Sequence, residues 1–229
     1  YRRSAISGVL REGCSLMCGI AGLMTRDGSP PEKALLDTMI EAFGHRGPDG
    51  EGFHLSQDVG LAQNRLAIID LVTGDQPLHE PGGATIIANA EIYNYIELRQ
   101  ELSDVHFSTS SDCEPPLHLY RKYGFNFAEK LRGMYAIAIY DAPKDCLILA
   151  RDPFGIKPLY YCESAQQFAF ASEPRALLAA GLATPNISSP QRNELLQLQF
   201  TCGRQTIFND IQRVMPGCRN HTLSMRQPR

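Results

Sequence analysis

Apolar residues recur with two different spacings along the chain, and together these spacings predict a mixed α and β protein. Residues 35–43 carry apolar side chains three and four positions apart, which is typical of one buried helix face, and Gly44 follows as a stop. Shorter apolar segments between turn residues predict strands. We expect strands at 20–24, 60–69, 84–89, 134–140, 146–150, 160–161 and 168–171, and further helices at 96–102, 117–123 and 174–180.

The segments 134–140 and 146–150 are almost continuously apolar. A strand with one face in water alternates apolar and polar residues, so continuous apolar segments indicate strands that are covered on both faces. The intervening residues 142–145, Ala-Pro-Lys-Asp, predict a turn, and the pair therefore predicts a buried hairpin. Covered strands with helices near both ends of the chain indicate stacked sheets between helical outer layers.

The composition excludes several classes of protein. The chain has 229 residues, 43% of them hydrophobic, and a formal net charge of −3. This length allows a substantial core without metal or disulfide crosslinks. No basic stripe indicates a nucleic acid partner, and no apolar segment approaches the roughly 20 residues that cross a bilayer. We therefore predict a cytoplasmic protein that binds neither nucleic acid nor membrane.

The seven cysteines have no spacing typical of a disulfide framework or of a metal site, so most are expected to be small buried residues. Cys18 differs because it follows Met17 directly and precedes a glycine. If Met17 is an initiator that is removed, the Cys18 α-amine, with a pKa of about 8, lies beside its own thiol and can serve as its base. This segment alone leaves two interpretations open, a nucleophile and a buried structural cysteine.

Other segments accompany MCGIAGL at 17–23. They are HRGPDG at 45–50, NRLAIID at 64–70, NAEIYNY at 89–95, SDCE at 111–114, RDPFGIKPLYY at 151–161 and FASE at 170–173. With them the sequence resembles the class II glutamine amidotransferases, and within these the glutamine-hydrolysing asparagine synthetases, from Met17 to about Gly217. The resemblance implies an N-terminal-nucleophile hydrolase with an α+β fold, a four-layer α/β/β/α sandwich of two antiparallel sheets. EIYNY and RDPFGIKPLYY favour asparagine synthetases over amidophosphoribosyltransferases and glucosamine-6-phosphate synthases, which remain alternatives.

The resemblance also implies an enzyme and the roles of its residues. Cys18 would attack the side-chain amide of L-glutamine, form a thioester and release ammonia, with its own α-amine carrying the proton. The Asn89 side chain and the Ala90 N–H would stabilise the oxyanion. No cofactor is implied for this domain. ATP and Mg²⁺ are expected only in a synthetase domain, which is normally part of the same chain.

Free glutamine carries one positive and one negative charge, and the resemblance supplies a partner for each. Arg65 would bind the α-carboxylate, Asp112 would bind the α-ammonium group, and Glu91 would line the same pocket. His45 belongs to a glycine-turned loop that we expect to buttress the pocket. Asp152 begins a segment that we interpret as a structural turn.

Two departures from the family pattern concern the site. Ala90 replaces the glycine of the family, and if this position needs a positive φ, alanine costs on the order of 1 kcal/mol and misdirects the N–H. We expect a partial loss of activity. Pro115 and Pro116 follow SDCE, and we expect them to perturb the surroundings of Asp112.

The expected domain organisation has three parts. Residues 1–17 are a leader, propeptide or untranslated segment, residues 18–217 are a type 2 glutamine amidotransferase domain, and residues 218–229 are an aberrant or truncated tail without the synthetase domain. A catalytically silent amidotransferase-like domain with a binding or scaffolding role is the alternative of a different class.

Overall fold

The computed structural model describes residues 17–217 and 221–224, and within them the chain forms two antiparallel sheets. The six-stranded sheet has the order β10-β8-β9-β1-β3-β2, with β1 Gly19–Thr25, β2 Gly50–Leu55, β3 Val59–Arg65, β8 Tyr160–Glu163, β9 Gln167–Ala171 and β10 Gln212–Arg213. The five-stranded sheet has the order β11-β7-β6-β5-β4, with β4 Leu78–His79, β5 Ala84–Ile92, β6 Gly133–Asp141, β7 Cys146–Arg151 and β11 His221–Ser224.

The α-helices in the described part of the chain are α1 Lys33–Ala42, α2 Tyr95–Glu101, α3 Pro115–Tyr123, α4 Pro174–Ala179 and α5 Ser189–Leu198. Helices α1 to α4 pack on the outer faces of the two sheets. Apolar side chains of α1 and α4 share a buried cluster with residues of β1 and β9. Those of α2 and α3 share another cluster with residues of β5, β6 and β7. The elements therefore form helix, sheet, sheet and helix layers.

A third buried cluster lies between the two sheets and explains the continuous apolar segments. In β6, Ala136 and Ala138 face this inner layer, whereas Ile137 and Ile139 face the helices. Successive strand residues point to opposite faces, so a strand covered on both sides must be apolar at every position. The predicted hairpin and the predicted four-layer sandwich are both confirmed.

Several elements differ from the expectation. The strand predicted at 60–69 ends at Arg65, and the chain then leaves the sheet. Strand β2 was not predicted because its sequence, GEGFHL, contains two glycines and little alternation. Helix α5 was not predicted either, because none of its residues is buried and the sequence therefore carries no apolar stripe. The predicted leader, apart from Met17, and most of the predicted tail lie outside the described residues.

Candidate active site

A cleft that is open to solvent at its mouth lies where β1 begins and β5 ends. All six residues expected to act in catalysis or binding line it, namely Cys18, Arg65, Asn89, Ala90, Glu91 and Asp112. They come from separate parts of the sequence and meet because β1, β3 and β5 are neighbours within or across the two sheets. The fold thus assembles in one place the residues that the sequence singled out.

The Cys18 thiol is held at the start of β1. Its Sγ accepts the Leu66 N–H at 3.3 Å and lies 3.5 Å from the Leu66 carbonyl oxygen. Burial raises the pKa of this thiol, while the Leu66 hydrogen bond and the charges of Lys157 and Arg65 lower it. Because the pKa stays above its usual value, the thiol needs a nearby base to react as a thiolate.

The loop after α1 fixes the backbone on both sides of the cysteine. The Met17 N–H donates to the Arg46 carbonyl at 3.0 Å, and Arg46 Nε donates to the Cys18 carbonyl at 3.1 Å. Glu173 holds the Arg46 guanidinium at 2.9 Å and lies 3.1 Å from His45 Nε2. His45 faces Glu173 and does not line the cleft, so this loop supports the nucleophile as expected.

Asn89 provides a donor that the protein itself leaves unused. The residue is 2% exposed, yet its Nδ2 has no hydrogen-bond partner. A buried donor without a partner costs roughly 1–3 kcal/mol. Asn89 lines the same cleft as the Cys18 thiol, so this donor is available to a group that binds there.

The backbone of Ala90 adds a second donor. On one edge of β5 the Ala88 N–H donates to Gln76 Oε1 at 2.6 Å and the Ile92 N–H donates to Asp112 Oδ2 at 2.8 Å. Alternate residues of a strand direct their N–H groups to the same edge, so the Ala90 N–H points into the cleft between these two bonds. Ala90 is absent from the positive-φ residues of the described chain, and the strain considered for alanine does not arise.

Arg65 ends β3 with its guanidinium buried and already oriented. Its Nη2 donates to the carbonyl oxygens of Asp70 and Ile69, and its Nη1 pairs with Asp75 Oδ1 at 2.5 Å. The Asp75 side chain is 81% exposed. The following loop thus fixes Nη2 of the guanidinium, while Nη1 binds an exposed carboxylate that solvent can replace.

Asp112 lines the same cleft, together with Glu91. Burial raises the pKa of the Asp112 carboxyl, the Ile92 hydrogen bond lowers it, and the charge of Glu91 raises it further. Pro115 and Pro116 occupy the first turn of α3, where a missing N–H costs nothing, and Glu114 is the residue at the helix N-cap. The expected effect of the two prolines on the surroundings of Asp112 stays a prediction.

Lys157 lines the cleft as well, and the sequence analysis missed it. The Asp152 carboxylate is fully buried and accepts the N–H groups of Phe154, Ile156 and Lys157 at 3.1, 2.9 and 3.0 Å. The predicted turn is therefore present, and it holds the backbone of a lysine whose side chain lines the cleft. The motif RDPFGIKPLYY at 151–161 contains Lys157, so the sequence carried a signal that could have identified this residue as a candidate.

Among the residues that the structure describes, the other cysteines differ from Cys18 in burial or in location. Cys113, Cys146 and Cys162 are buried, and burial raises the pKa of Cys146 to about 11 and of Cys162 to about 12. Cys202 is exposed and lies away from the cleft. Within residues 17–217, no group of three or more His, Cys, Asp or Glu side chains is arranged to hold a metal ion.

Comparison with known proteins decides the family. Residues 17–227 match the glutamine amidotransferase domain. The chain belongs to this family. Asparagine synthetase [glutamine-hydrolyzing] 2 of Bacillus subtilis is 43% identical over 167 residues, which are 71% of this chain and 22% of that protein. Asparagine synthetase [glutamine-hydrolyzing] 1 of the same organism is 40% identical over 207 residues, which are 88% of this chain and 33% of that protein.

Other relatives widen the picture. Amidase chry2 of Gibberella zeae is 36% identical over 216 residues, 88% of this chain and 32% of that protein. The chain thus spans between 22% and 33% of the length of these three relatives. The solved glutamine phosphoribosylpyrophosphate amidotransferase of B. subtilis superposes with a TM-score of 0.60 at 23% identity, over 72% of this chain and 44% of that one. This likeness supports the amidotransferase fold, and the family resemblance seen in the sequence is confirmed.

None of the helices in the described part of the chain combines the length and apolar character needed to cross a membrane.

Proposed function

We propose that residues 18–217 are the glutaminase unit of an asparagine-synthetase-type protein and convert L-glutamine to glutamate and ammonia. The observation that carries the proposal is the cleft itself, in which the Cys18 thiol and the unpaired Asn89 amide nitrogen lie together. The match to the amidotransferase domain and the identity to glutamine-hydrolysing asparagine synthetases support the same reaction.

Recognition of the substrate follows from the charges that line the cleft. The glutamine α-carboxylate pairs with the Arg65 fork and replaces the exposed Asp75 carboxylate. The α-ammonium group pairs with Asp112, whose position next to Glu91 concentrates negative charge. The side-chain amide then extends towards Cys18.

Catalysis requires the Met17–Cys18 peptide bond to be cleaved, because only then does Cys18 carry a free α-amine. The amine takes the thiol proton, and Sγ attacks the amide carbon of the substrate. The oxyanion accepts hydrogen bonds from Asn89 Nδ2 and the Ala90 N–H. The carbon–nitrogen bond breaks, the α-ammonium returns the proton to the leaving ammonia, and water hydrolyses the thioester to glutamate.

The relatives are longer than this chain, and we expect the site that uses the ammonia to lie in the part of such proteins outside the matched region. We infer that a synthetase domain that uses ATP and Mg²⁺ consumes the ammonia, and that the glutaminase unit itself needs no cofactor. We place the protein in the cytoplasm. Replacement of the family glycine by Ala90 is compatible with activity, since the N–H is kept.

The test is glutamine hydrolysis by purified protein whose N-terminus is read by intact mass. We expect release of glutamate and ammonia only from molecules that begin at Cys18, and loss of activity in Cys18→Ala with unchanged thermal unfolding. Cys113→Ala, which removes a second thiol lining the same cleft, is the matched control and should stay active. Activity in Cys18→Ala would reject the mechanism, and inactivity of correctly processed protein would favour a silent binding domain.

A further inference from the structure

The cleft contains a buried ammonium group that the proposed reaction does not use. The Lys157 side chain is 4% exposed, and its Nζ lies 3.5 Å from Glu91 Oε1 and 3.5 Å from Met17 Sδ. Removing an ammonium ion from water costs several kcal/mol unless it is closely paired. At 3.5 Å the half-exposed Glu91 carboxylate offsets this cost only in part, so packing alone does not explain a lysine here.

The backbone that carries Lys157 is held firmly. Its N–H donates to the buried Asp152 carboxylate at 3.0 Å, and its carbonyl accepts Arg151 Nε at 2.8 Å. Arg151 in turn donates to the Val214 carbonyl at 2.6 Å. The position of the ammonium is therefore set by a rigid turn and does not depend on a flexible loop.

We propose that Lys157 is a positioning residue that keeps the two ionisable groups of Cys18, its thiol and its released α-amine, poised for proton transfer near neutral pH. The proposal rests on the function proposed above. Met17 is bonded to the Cys18 nitrogen, its Sδ lies 3.5 Å from Lys157 Nζ, and the charge of Lys157 acts on the Cys18 thiol, so we expect it to act also on the α-amine that cleavage releases. A neighbouring cation disfavours a protonated amine and favours a thiolate, and it lowers the pKa of both groups.

Other charged or titratable groups near Cys18 act in both directions. They are Arg46 from the loop after α1, Arg65 from β3, Glu91 from β5, and Asp112 and the Cys113 thiol ahead of α3, of which the thiol stays neutral because burial raises its pKa. When glutamine binds, its own charges pair with Arg65 and Asp112. Arg46 is already neutralised by Glu173. Burial raises the pKa of the Cys18 thiol, and Lys157 then provides a positive charge that lowers it.

The test compares the protein with Lys157→Met, which removes the charge, and Lys157→Arg, which keeps it. In enzyme that begins at Cys18, we expect Lys157→Met to shift the acidic side of the pH profile of kcat/KM for glutamine to higher pH by about one unit. At a given acidic pH the activity should then be about tenfold lower than that of the parent, and at high pH it should recover. Lys157→Arg should stay within about threefold of the parent at every pH. Superimposed profiles, or a loss that is equal at every pH, would overturn the proposal.

A second measurement does not depend on glutamine turnover. The rate at which iodoacetamide alkylates Cys18, read by peptide mass across the pH range, gives the pKa of the thiol in parent and variants. We expect a pKa higher by about one unit in Lys157→Met, and an unchanged pKa would overturn the proposal even if the protein hydrolyses no glutamine. If Lys157→Met unfolds, Lys157→Gln carries the same comparison. Failure of hydrolysis with a shifted thiol pKa would reject the proposed function and retain only the effect of Lys157 on the Cys18 thiol, whereas hydrolysis with an unshifted pKa would reject the role of Lys157 alone.

Discussion

The side-chain nitrogen of Asn89 is a buried donor without a partner, and alanine at this position should lower activity much more than stability. Losing one oxyanion donor costs roughly 3–4 kcal/mol of transition-state stabilisation, which corresponds to a kcat lower by 10²–10³. In the resting protein, truncation removes an unpaired donor whose burial costs roughly 1–3 kcal/mol and leaves a small cavity of about the same cost. The two contributions oppose each other, and we expect the free energy of unfolding to change by less than about 1 kcal/mol.

Asn64→Ala is the matched control, because it makes the same chemical change on the neighbouring strand β3 outside the cleft. Asn64 Nδ2 donates to the Ile40 carbonyl at 3.2 Å, so its removal loses this hydrogen bond and leaves a cavity as well. We expect a cost of roughly 2–4 kcal/mol of stability and a kcat within about threefold of the parent. Steady-state glutamine hydrolysis and urea unfolding on both variants provide the four numbers. If Asn89→Ala kept its kcat, or if both variants lost activity equally, Asn89 would not be an oxyanion donor.

The remaining predictions concern Ala90 and the arginine fork. Ala90→Gly should not raise kcat, because the alanine already has extended backbone, and glycine should cost about 0.5–1 kcal/mol in a urea titration; a kcat increase of tenfold would contradict this. Asp75→Asn should lower KM for glutamine by up to about fivefold at constant kcat, since an exposed ion pair is worth at most about 1 kcal/mol, and a higher KM would exclude competition for Arg65. Arg65→Lys should raise KM, because a point charge replaces a bidentate partner, and an unchanged KM would remove Arg65 from carboxylate binding.

Much of the layered fold could be predicted because buried positions are visible in the sequence as apolar residues. Continuous apolar segments such as 134–140 identify strands covered on both faces, and these were found where expected. The elements that were not predicted lack such a pattern of apolar residues. Helix α5 has no buried residue, and β2 is held by pairing with β3 along its backbone, which leaves little trace in side-chain pattern.

The candidate site was predictable from motifs but not from physics alone. Arg65, Asn89 and Asp112 are far apart in sequence, and only a known family pattern connects them before the fold is available. Details that depend on three-dimensional packing had to come from the structure. They include the negative φ of Ala90 and the direction of Lys157, which a turn-forming carboxylate sets from five residues away.

The alternation along β5 makes the length of this strand as important as its composition. Ile86 and Ala88 face the helices, while Ile87 faces the inner layer, on the same side as Asn89. One residue inserted or deleted between 84 and 88 would turn every later side chain to the other face, and would bury the amide among leucines while an alanine took its place in the cleft. Homologous chains should therefore tolerate substitutions in this strand far better than the insertion or deletion of one residue. A single insertion should be accompanied by a β-bulge that returns the Asn89 side chain to the inner face.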